Sequence, residues 1–137
     1  MSTYSFDDDN YVNSSEFKKF MESNSGNGFL KIRAYAAGGA IPISGLRVVI
    51  STKIDKDDFV FFDGYTNESG IIDYISLPTP KLDSSNLDIP NKIIYDIKAT
   101  YVPDNTILKY EVVMYENVYV IQNISIVPKM NMRIGDI

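Results

Sequence analysis

The sequence predicts an all-β fold, a seven-stranded antiparallel β-sandwich that follows a short N-terminal helix and arm. From Phe29 onward, apolar residues recur at every second position in short runs, which is the period of a strand with one buried face. Turn residues interrupt these runs at near-regular spacing, as they do in sandwiches. With 137 residues, 45% of them hydrophobic, the chain can form one core without a metal or a disulfide.

The first 27 residues are predicted to form an arm that contains one short helix. They are rich in Ser, Asn and Gly. Asn13-Ser14-Ser15-Glu16 matches a capping box, and Phe17, Phe20 and Met21 follow with the spacing of one helix face, which predicts a helix near residues 15–22. The predicted parts of the chain are the arm (1–27), the sandwich domain (28–128) and a C-terminal tail (129–137).

The alternating runs predict seven strands separated by recognisable turns. Gly38-Gly39 ends the first strand, and the charged stretch 53–58 forms the next turn. The segment 66–70, Thr-Asn-Glu-Ser-Gly, predicts a hairpin, so that the fourth strand pairs back on the third. Three prolines within residues 78–92 indicate a long surface loop. The predicted strands are 29–36, 46–51, 59–65, 71–77, 93–101, 107–115 and 118–127.

Missing residue types exclude several kinds of chemistry. The chain has no histidine, no cysteine and no tryptophan. Without His and Cys there is no usual zinc, haem or iron–sulfur site, no thiol nucleophile and no imidazole base. Most familiar enzyme chemistries are thereby excluded, so we expect that the protein is not an enzyme and that it binds no cofactor.

The charge pattern excludes further classes of partner. The net charge is −5 and the 13 basic residues are scattered, whereas nucleic-acid binding requires Lys and Arg on one face. No apolar run approaches the ~18 residues of a membrane helix. The N terminus has neither the charged nor the apolar region of a secretory signal. We therefore expect synthesis in the cytoplasm without a signal peptide, and neither a nucleic-acid nor a membrane partner.

Four segments occur in a characteristic order: Gly45-Leu46-Arg47-Val48-Val49-Ile50, then 64–70, then Leu77-Pro78, then the Tyr-x-Ile-x-Ala strand 95–101. This order resembles the carboxypeptidase-regulatory-like, transthyretin-like β-sandwich family, whose architecture is Ig-like. The resemblance covers roughly residues 29–127. It implies this fold and a noncatalytic role as an accessory or assembly domain. The Gly that usually precedes the Tyr strand is missing here.

A closer resemblance lies in three segments: Ala40-Ile41-Pro42-Ile43, Leu77-Pro78-Thr79-Pro80 and residues 115–128. They resemble the β-domain of clostridial spore-cortex hydrolases and of some small stand-alone clostridial proteins. The abundance of Ile, Asn, Lys, Asp and Tyr likewise resembles the composition of an AT-rich Firmicute.

Acidic residues offer two candidate sites, each with a simpler explanation. The turn Asp55–Asp58 together with Asp63 has the oxygen ligands that calcium requires, but the Gly and the distal Glu of an EF-hand are absent, so we favour a solvated turn. A carboxylate pair for glycoside hydrolysis must be buried in a cleft. Asp96 and Glu111 are the least turn-like acids, and both alternate away from the apolar face. We expect no metal site and no catalytic pair.

Aromatic residues are more numerous than one small core requires, with 10 Tyr and 7 Phe. Aromatic side chains on a surface mark a protein interface or a platform for a glycan. The alternative is that these residues simply favour strands and that the arm helix covers them. The candidate partner-binding residues are Tyr35, Phe59, Phe61, Tyr65 and Tyr119 on a sheet face, and Tyr4, Phe6, Tyr11, Phe17, Phe20, Met130 and Met132 in the terminal segments.

These observations predict a noncatalytic structural or adaptor subunit of a larger assembly, such as a phage, a phage-tail-like particle or a spore-surface layer. Its partners would be other protein subunits, bound through the terminal arms and the aromatic sheet face. The alternative is an accessory module that binds peptidoglycan or another polysaccharide through exposed tyrosines, as the spore-hydrolase resemblance implies.

Overall fold

The computed structural model describes residues 3–4, 14–82 and 91–127, the first two by their backbone alone. Within these residues the chain forms seven strands of seven or more residues, two strands of two residues and one α-helix. The predicted partner-binding residues Phe6, Tyr11, Met130 and Met132 lie outside the described residues. The elements are β1 (Thr3–Tyr4), α1 (Ser15–Ser23), β2 (Gly26–Ala36), β3 (Ile41–Pro42), β4 (Arg47–Ile54), β5 (Asp57–Tyr65), β6 (Ile71–Thr79), β7 (Ile93–Tyr101), β8 (Thr106–Met114) and β9 (Tyr119–Ser125).

The strands form two sheets whose inner faces enclose the core. Sheet A has the strand order β1-β5-β4-β7-β8. In sheet B the central strand β2 pairs with β9 along one edge and with β6 and then β3 along the other. The fold is therefore mostly β, with two layers and one short helix, which confirms the predicted sandwich class.

The strand pairing is not wholly antiparallel, which corrects the prediction. β2 runs parallel to β9, and β1 runs parallel to β5. β8 belongs to sheet A, and the chain then crosses to sheet B before β9 begins. β9 consequently forms no hairpin with β8 and lies beside β2 instead. A pairing between strands so far apart in sequence has no local turn signal.

The segment 66–70 is a corner between the sheets and not the predicted hairpin within one sheet. β6 pairs with β2 in sheet B, whereas β5 belongs to sheet A. The side-chain oxygen of Asn67 accepts hydrogen bonds from the N–H groups of Ser69 (2.9 Å) and Ile71 (3.0 Å). Gly70 has a φ of 76°, which glycine adopts without strain. The expected turn residues are thus present, but they redirect the chain into the other sheet.

The core contains the inward residues that the alternation predicts. Alternate apolar residues of the first two predicted strands are fully buried: Leu30, Ile32, Ala34, Leu46, Val48 and Ile50. Burial of each large aliphatic side chain contributes ~1.5–3 kcal/mol. Tyr95 is also fully buried, and its hydroxyl donates to the C=O of Pro78 at 2.6 Å, so the polar end of this ring is satisfied.

Helix α1 packs its aromatic face against β5. The hydroxyl of Ser14 accepts a hydrogen bond from the N–H of Phe17 at 3.1 Å and caps the helix. The ring of Phe17 stacks on Phe59 and Phe61, with centroid distances of 6.0 Å and 6.3 Å. Phe20 lies 5.5 Å from Phe61. The helix therefore joins the core of the sandwich.

Phe59 and Phe61 are core residues, which corrects their predicted place on an outer face. They are 2% and 9% exposed. The register between β4 and β5 shifts between Ile50 and Ser51, and three consecutive residues from Phe59 are buried. Such a bulge breaks the two-residue alternation on which the prediction relied.

Candidate functional site

The outer face of sheet B carries three neighbouring aromatic rings, one from each long strand. Phe29 on β2 stacks on Tyr74 of β6, with the centroids 5.4 Å apart and 22° between the ring planes. Phe29 also lies 6.5 Å from the ring of Tyr119 on β9. Tyr74 is 61% exposed and Tyr119 is 50% exposed. We call Phe29, Tyr74 and Tyr119 the aromatic surface.

The strand register brings these three rings together. Phe29 is directly opposite Tyr119 in the parallel pair and directly opposite Ser76 in the antiparallel pair, so Tyr74 is its diagonal neighbour. The Tyr119 hydroxyl reaches across the face and donates to the backbone C=O of Asp73 at 2.8 Å. Backbone pairing thus places the three rings side by side, and the hydrogen bond restricts the Tyr119 ring, which then has less side-chain freedom to lose on binding.

Charged residues continue this face along β2. The ammonium group of Lys31 lies 3.7 Å from the carboxylate of Asp73. Further along, the guanidinium group of Arg33 lies 5.4 Å from the ring centroid of Tyr35 and donates to its hydroxyl at 3.4 Å. Ile121, which is 49% exposed, is directly opposite Lys31. The face thus combines apolar surface with two basic groups.

The structure does not bring the predicted aromatic residues together on one surface. Tyr35 and Tyr119 lie at opposite ends of the paired region of β2 and β9. Tyr65 is 60% exposed but lies on β5 in sheet A. Tyr4 lies on β1, where its backbone is paired with β5. The remaining described members of the set, Phe17, Phe20, Phe59 and Phe61, form the contact between α1 and the core.

Phe29 and Tyr74 are not among the predicted partner-binding residues, although the alternation of their strands indicates that both face outward. Phe29 lies on the same face of β2 as Lys31 and Tyr35, and the alternate residues of this strand face the core. Tyr74 precedes the buried Ile75 in the same way. What alternation alone could not supply was the pairing of β6 and β9 with β2, which places the rings side by side.

A bidentate ion pair lies on the outer face of sheet A. Arg47 donates from Nε to Oδ1 of Asp63 at 3.0 Å and from Nη2 to Oδ2 at 2.7 Å. These hydrogen bonds hold the pKa of the Asp63 carboxyl below its ordinary value and raise the pKa of Arg47. Both side chains are substantially exposed, so solvent screening limits the pair to under ~1 kcal/mol of stability.

The acidic residues of the β4–β5 turn do not converge. Asp58 is bound by Lys53 at 2.8 Å, and Asp63 is bound by Arg47. In the part of the chain that the structure describes, no three acidic side chains lie close enough to hold a metal ion. Asp96 and Glu111 are both exposed on the outer face of sheet A. Nor does any helix of the described residues have the length and apolarity to cross a membrane.

Comparisons with known proteins find similarity only to solved structures, at low sequence identity. No protein-family model matches the sequence, and no curated protein matches it. A 5-hydroxyisourate hydrolase structure from Klebsiella pneumoniae matches 72% of this chain and 90% of its own, with 14% identity and a TM-score of 0.45. An (S)-allantoin synthase structure matches 80% of this chain with 11% identity and a TM-score of 0.43, and the match spans 44% of that protein. Neither match assigns this chain to a family.

These neighbours contradict the prediction that the chain is not an enzyme. That prediction rested on the missing His and Cys and on the noncatalytic role that the sequence resemblance implied, yet both solved structures are named as enzymes. At 14% and 11% identity neither activity is assigned to this chain.

Proposed function

We propose that the protein is a structural or adaptor subunit of a larger assembly and that it docks through the aromatic surface of sheet B. The observation that supports this proposal is the contiguity of Phe29, Tyr74 and Tyr119, two of which are half or more exposed. Tyrosine is among the side chains that contribute most to protein interfaces. The salt bridge between Lys31 and Asp73 lies beside the rings and supplies part of a polar rim.

The edge of sheet B supports the same proposal. Within the described residues, no strand pairs with the outer edge of β9. β9 has neither a proline nor a charged residue, which are common protections of an exposed edge. Tyr119 and Ile121 flank this edge with exposed apolar surface. A partner that covers the rings would also meet unpaired backbone groups.

The terminal arms and the kind of assembly enter the proposal from the sequence. Tyr4, Phe6 and Tyr11 at one end and Met130 and Met132 at the other are proposed to contact neighbouring subunits. A phage, a phage-tail-like particle or a spore-surface layer is proposed as the assembly from the aromatic terminal arms and from the assembly role that the sequence resemblance implies.

A matched pair of variants tests the docking surface. Tyr74→Ala removes a ring of the aromatic surface, whereas Tyr65→Ala removes a tyrosine of equal exposure (60% against 61%) from the other sheet. Each variant, expressed in place of the native protein, is followed through density-gradient sedimentation of the lysate. We expect Tyr74→Ala to reduce the particle-bound fraction roughly tenfold or more, as loss of an interface hot spot does, and Tyr65→Ala to leave it unchanged. Equal behaviour of the two variants would contradict this surface as the docking site.

A polysaccharide is the second candidate ligand. Tyr74 and Tyr119 are 61% and 50% exposed, and the apolar face of a sugar ring can stack on an exposed aromatic ring. This alternative predicts that the purified protein sediments with isolated cell wall and that Tyr74→Ala, but not Tyr65→Ala, abolishes the binding. Absence of the wild-type protein from the wall pellet would contradict it.

A further inference from the structure

The outer edge of β8 is unpaired in sheet A, as far as the described residues show. Its other edge pairs with β7 in an unbroken antiparallel register from Ile93–Met114 to Tyr101–Thr106. β8 is nine residues long and contains neither proline nor a bulge. A long, regular edge with free N–H and C=O groups is a template for another strand.

One hydrogen bond identifies which backbone groups of β8 are free. The Thr52 hydroxyl on β4 donates to the C=O of Ile94 at 2.9 Å, so the backbone groups of Ile94 point towards β4. Ile94 is directly opposite Val113, and these two residues form a pair without backbone hydrogen bonds between them. In an antiparallel ladder, pairs of this kind alternate with pairs that exchange two hydrogen bonds. Val113 and every second residue before it therefore point their backbone groups to the open edge. These residues are Ile107, Lys109, Glu111 and Val113.

The same four residues have exposed side chains in an order that is complementary to itself. Along β8 they are aliphatic, basic, acidic and aliphatic. If a second copy of β8 lies antiparallel with Tyr110 opposite Tyr110, Lys109 of each copy is opposite Glu111 of the other. Ile107, 50% exposed, is then opposite Val113, 37% exposed. Each outward backbone group also meets a partner in this register.

Within one chain the two charges have unfavourable neighbours. Lys109 is directly opposite Lys98, and Glu111 is directly opposite Asp96. Among the described residues, none of these four side chains forms an ion pair within 4 Å. Like charges directly opposite each other destabilise a sheet. A second copy of β8 would give Lys109 and Glu111 an opposite charge on their free side.

We propose that two copies of the chain associate through β8, antiparallel about a two-fold axis at Tyr110, so that sheet A continues across the dimer. A charged edge that prevents association would repel a second copy because equal charges meet. In β8 opposite charges meet, which favours the isologous pair. The interface uses sheet A and leaves the aromatic surface of sheet B free.

The interface is expected to be of modest affinity. A single strand pair is smaller than a standard interface of ~1,600 Å², so the dissociation constant should be on the order of micromolar or weaker. Two exposed ion pairs also make the dimer weaker at high salt. Sedimentation equilibrium of the full chain over a range of protein concentrations, at low and high salt, measures both properties.

Charge reversal tests the register. Lys109→Glu or Glu111→Lys gives residues 109 and 111 the same charge, so like charges meet at two places across the interface. The dissociation constant of each variant's dimer should therefore rise roughly tenfold or more. An equimolar mixture of the two variants restores both ion pairs and should form a heterodimer. The double variant Lys109→Glu/Glu111→Lys should likewise recover the dimer. Lys56→Glu, an equal charge change in the exposed β4–β5 turn, is the control and should dimerise as the wild type does.

The stability of the monomer gives an independent readout. Lys109→Glu faces Lys98 and Glu111→Lys faces Asp96, so each single variant replaces a like-charge pair by an opposite-charge pair within the chain. Each reversed charge also lies beside a like charge on β8 and diagonal to one on β7, which offsets this gain. At dilutions where the wild type is monomeric, both variants should therefore keep a midpoint of thermal unfolding close to that of the wild type. Loss of association through misfolding would instead lower that midpoint.

Cysteine cross-linking locates the two-fold axis. The chain has no cysteine, so Tyr110→Cys introduces a single thiol that meets its copy at a pair with closely spaced Cα atoms, which a disulfide can bridge. Ile107→Cys is the matched control, because residue 107 and its copy lie roughly 20 Å apart in this register. We expect a covalent dimer from Tyr110→Cys alone. A wild-type chain that stays monomeric at hundreds of micromolar, or a dimer that neither reversal weakens, would overturn the proposal.

Discussion

Gly70 lies in the corner that carries the chain from sheet A to sheet B, where backbone atoms of other segments approach it closely. Its φ is 76°, and a Cβ atom placed on it would overlap the carbonyl oxygen of Ala34. The same Cβ would lie 3.1 Å from the backbone nitrogen of Ile43. Gly45 provides a matched control, because its φ is 75° and nothing lies within 4 Å of a Cβ there. We therefore compare Gly70→Ala with Gly45→Ala.

The expected cost follows from these two contributions. An alanine at positive φ loses ~1–2 kcal/mol in either position. Overlap with fixed backbone atoms adds ~1–3 kcal/mol at Gly70 alone, as overpacking of a core does. The change in unfolded-state entropy is the same in both variants and cancels in the comparison. Gly70→Ala should thus lower the free energy of unfolding by ~1–3 kcal/mol more than Gly45→Ala does.

Urea denaturation followed by far-UV circular dichroism measures this difference. The midpoint should fall further for Gly70→Ala, while the dependence of the unfolding free energy on urea stays the same in both variants. Equal losses in the two variants would refute the reasoning, because the close approach to Ala34 would then carry no energetic cost. A larger loss in Gly45→Ala would refute it as well.

Three further stability predictions follow from individual side chains. The buried hydroxyl of Thr66 accepts from one backbone N–H at 3.0 Å and donates to one C=O at 2.6 Å, so Thr66→Val should cost about 2–4 kcal/mol by urea denaturation. Phe17→Ala removes half-buried ring contacts and should cost about 2 kcal/mol, whereas Met21→Ala, at a 37% exposed position on the same helix, should change stability by under ~0.5 kcal/mol. Asp63→Asn should cost under ~1 kcal/mol at neutral pH, because it breaks the ion pair with Arg47. A carboxyl whose pKa is lowered in the folded state stabilises the fold at pH values above its pKa in the unfolded chain. The difference in stability between Asp63→Asn and wild type should therefore vanish as the pH falls through the lowered pKa of Asp63. A difference that persists at about pH 2 would contradict the stabilising role of the ion pair.

The strands and the core were predictable because alternation is a local signal. Leu30 and Val48 are buried as their parity predicts, and the helix begins beside Ser14 as its capping residues predict. The strand partners were not predictable in the same way. The turn ending at Gly70 has the sequence of a hairpin, yet the packing of two sheets sends β6 to β2.

The candidate site was predictable only in part for the same reason. The exposed position of Tyr119 follows from its parity, but its neighbours Phe29 and Tyr74 come from strands that meet only in the folded sheet. Phe59 and Phe61 were misplaced because a bulge buries consecutive residues. The prediction that the chain is not an enzyme was wrong in part because it read a noncatalytic role from a resemblance of fold, and a fold does not determine an activity.

The most direct test of the docking proposal is gradient sedimentation of the native protein from a lysate of its source organism, with mass spectrometry of the fractions that contain it. The account predicts that the protein travels with a large particle, together with the subunits that contact it. Migration as a small species of one or two chains would contradict the account.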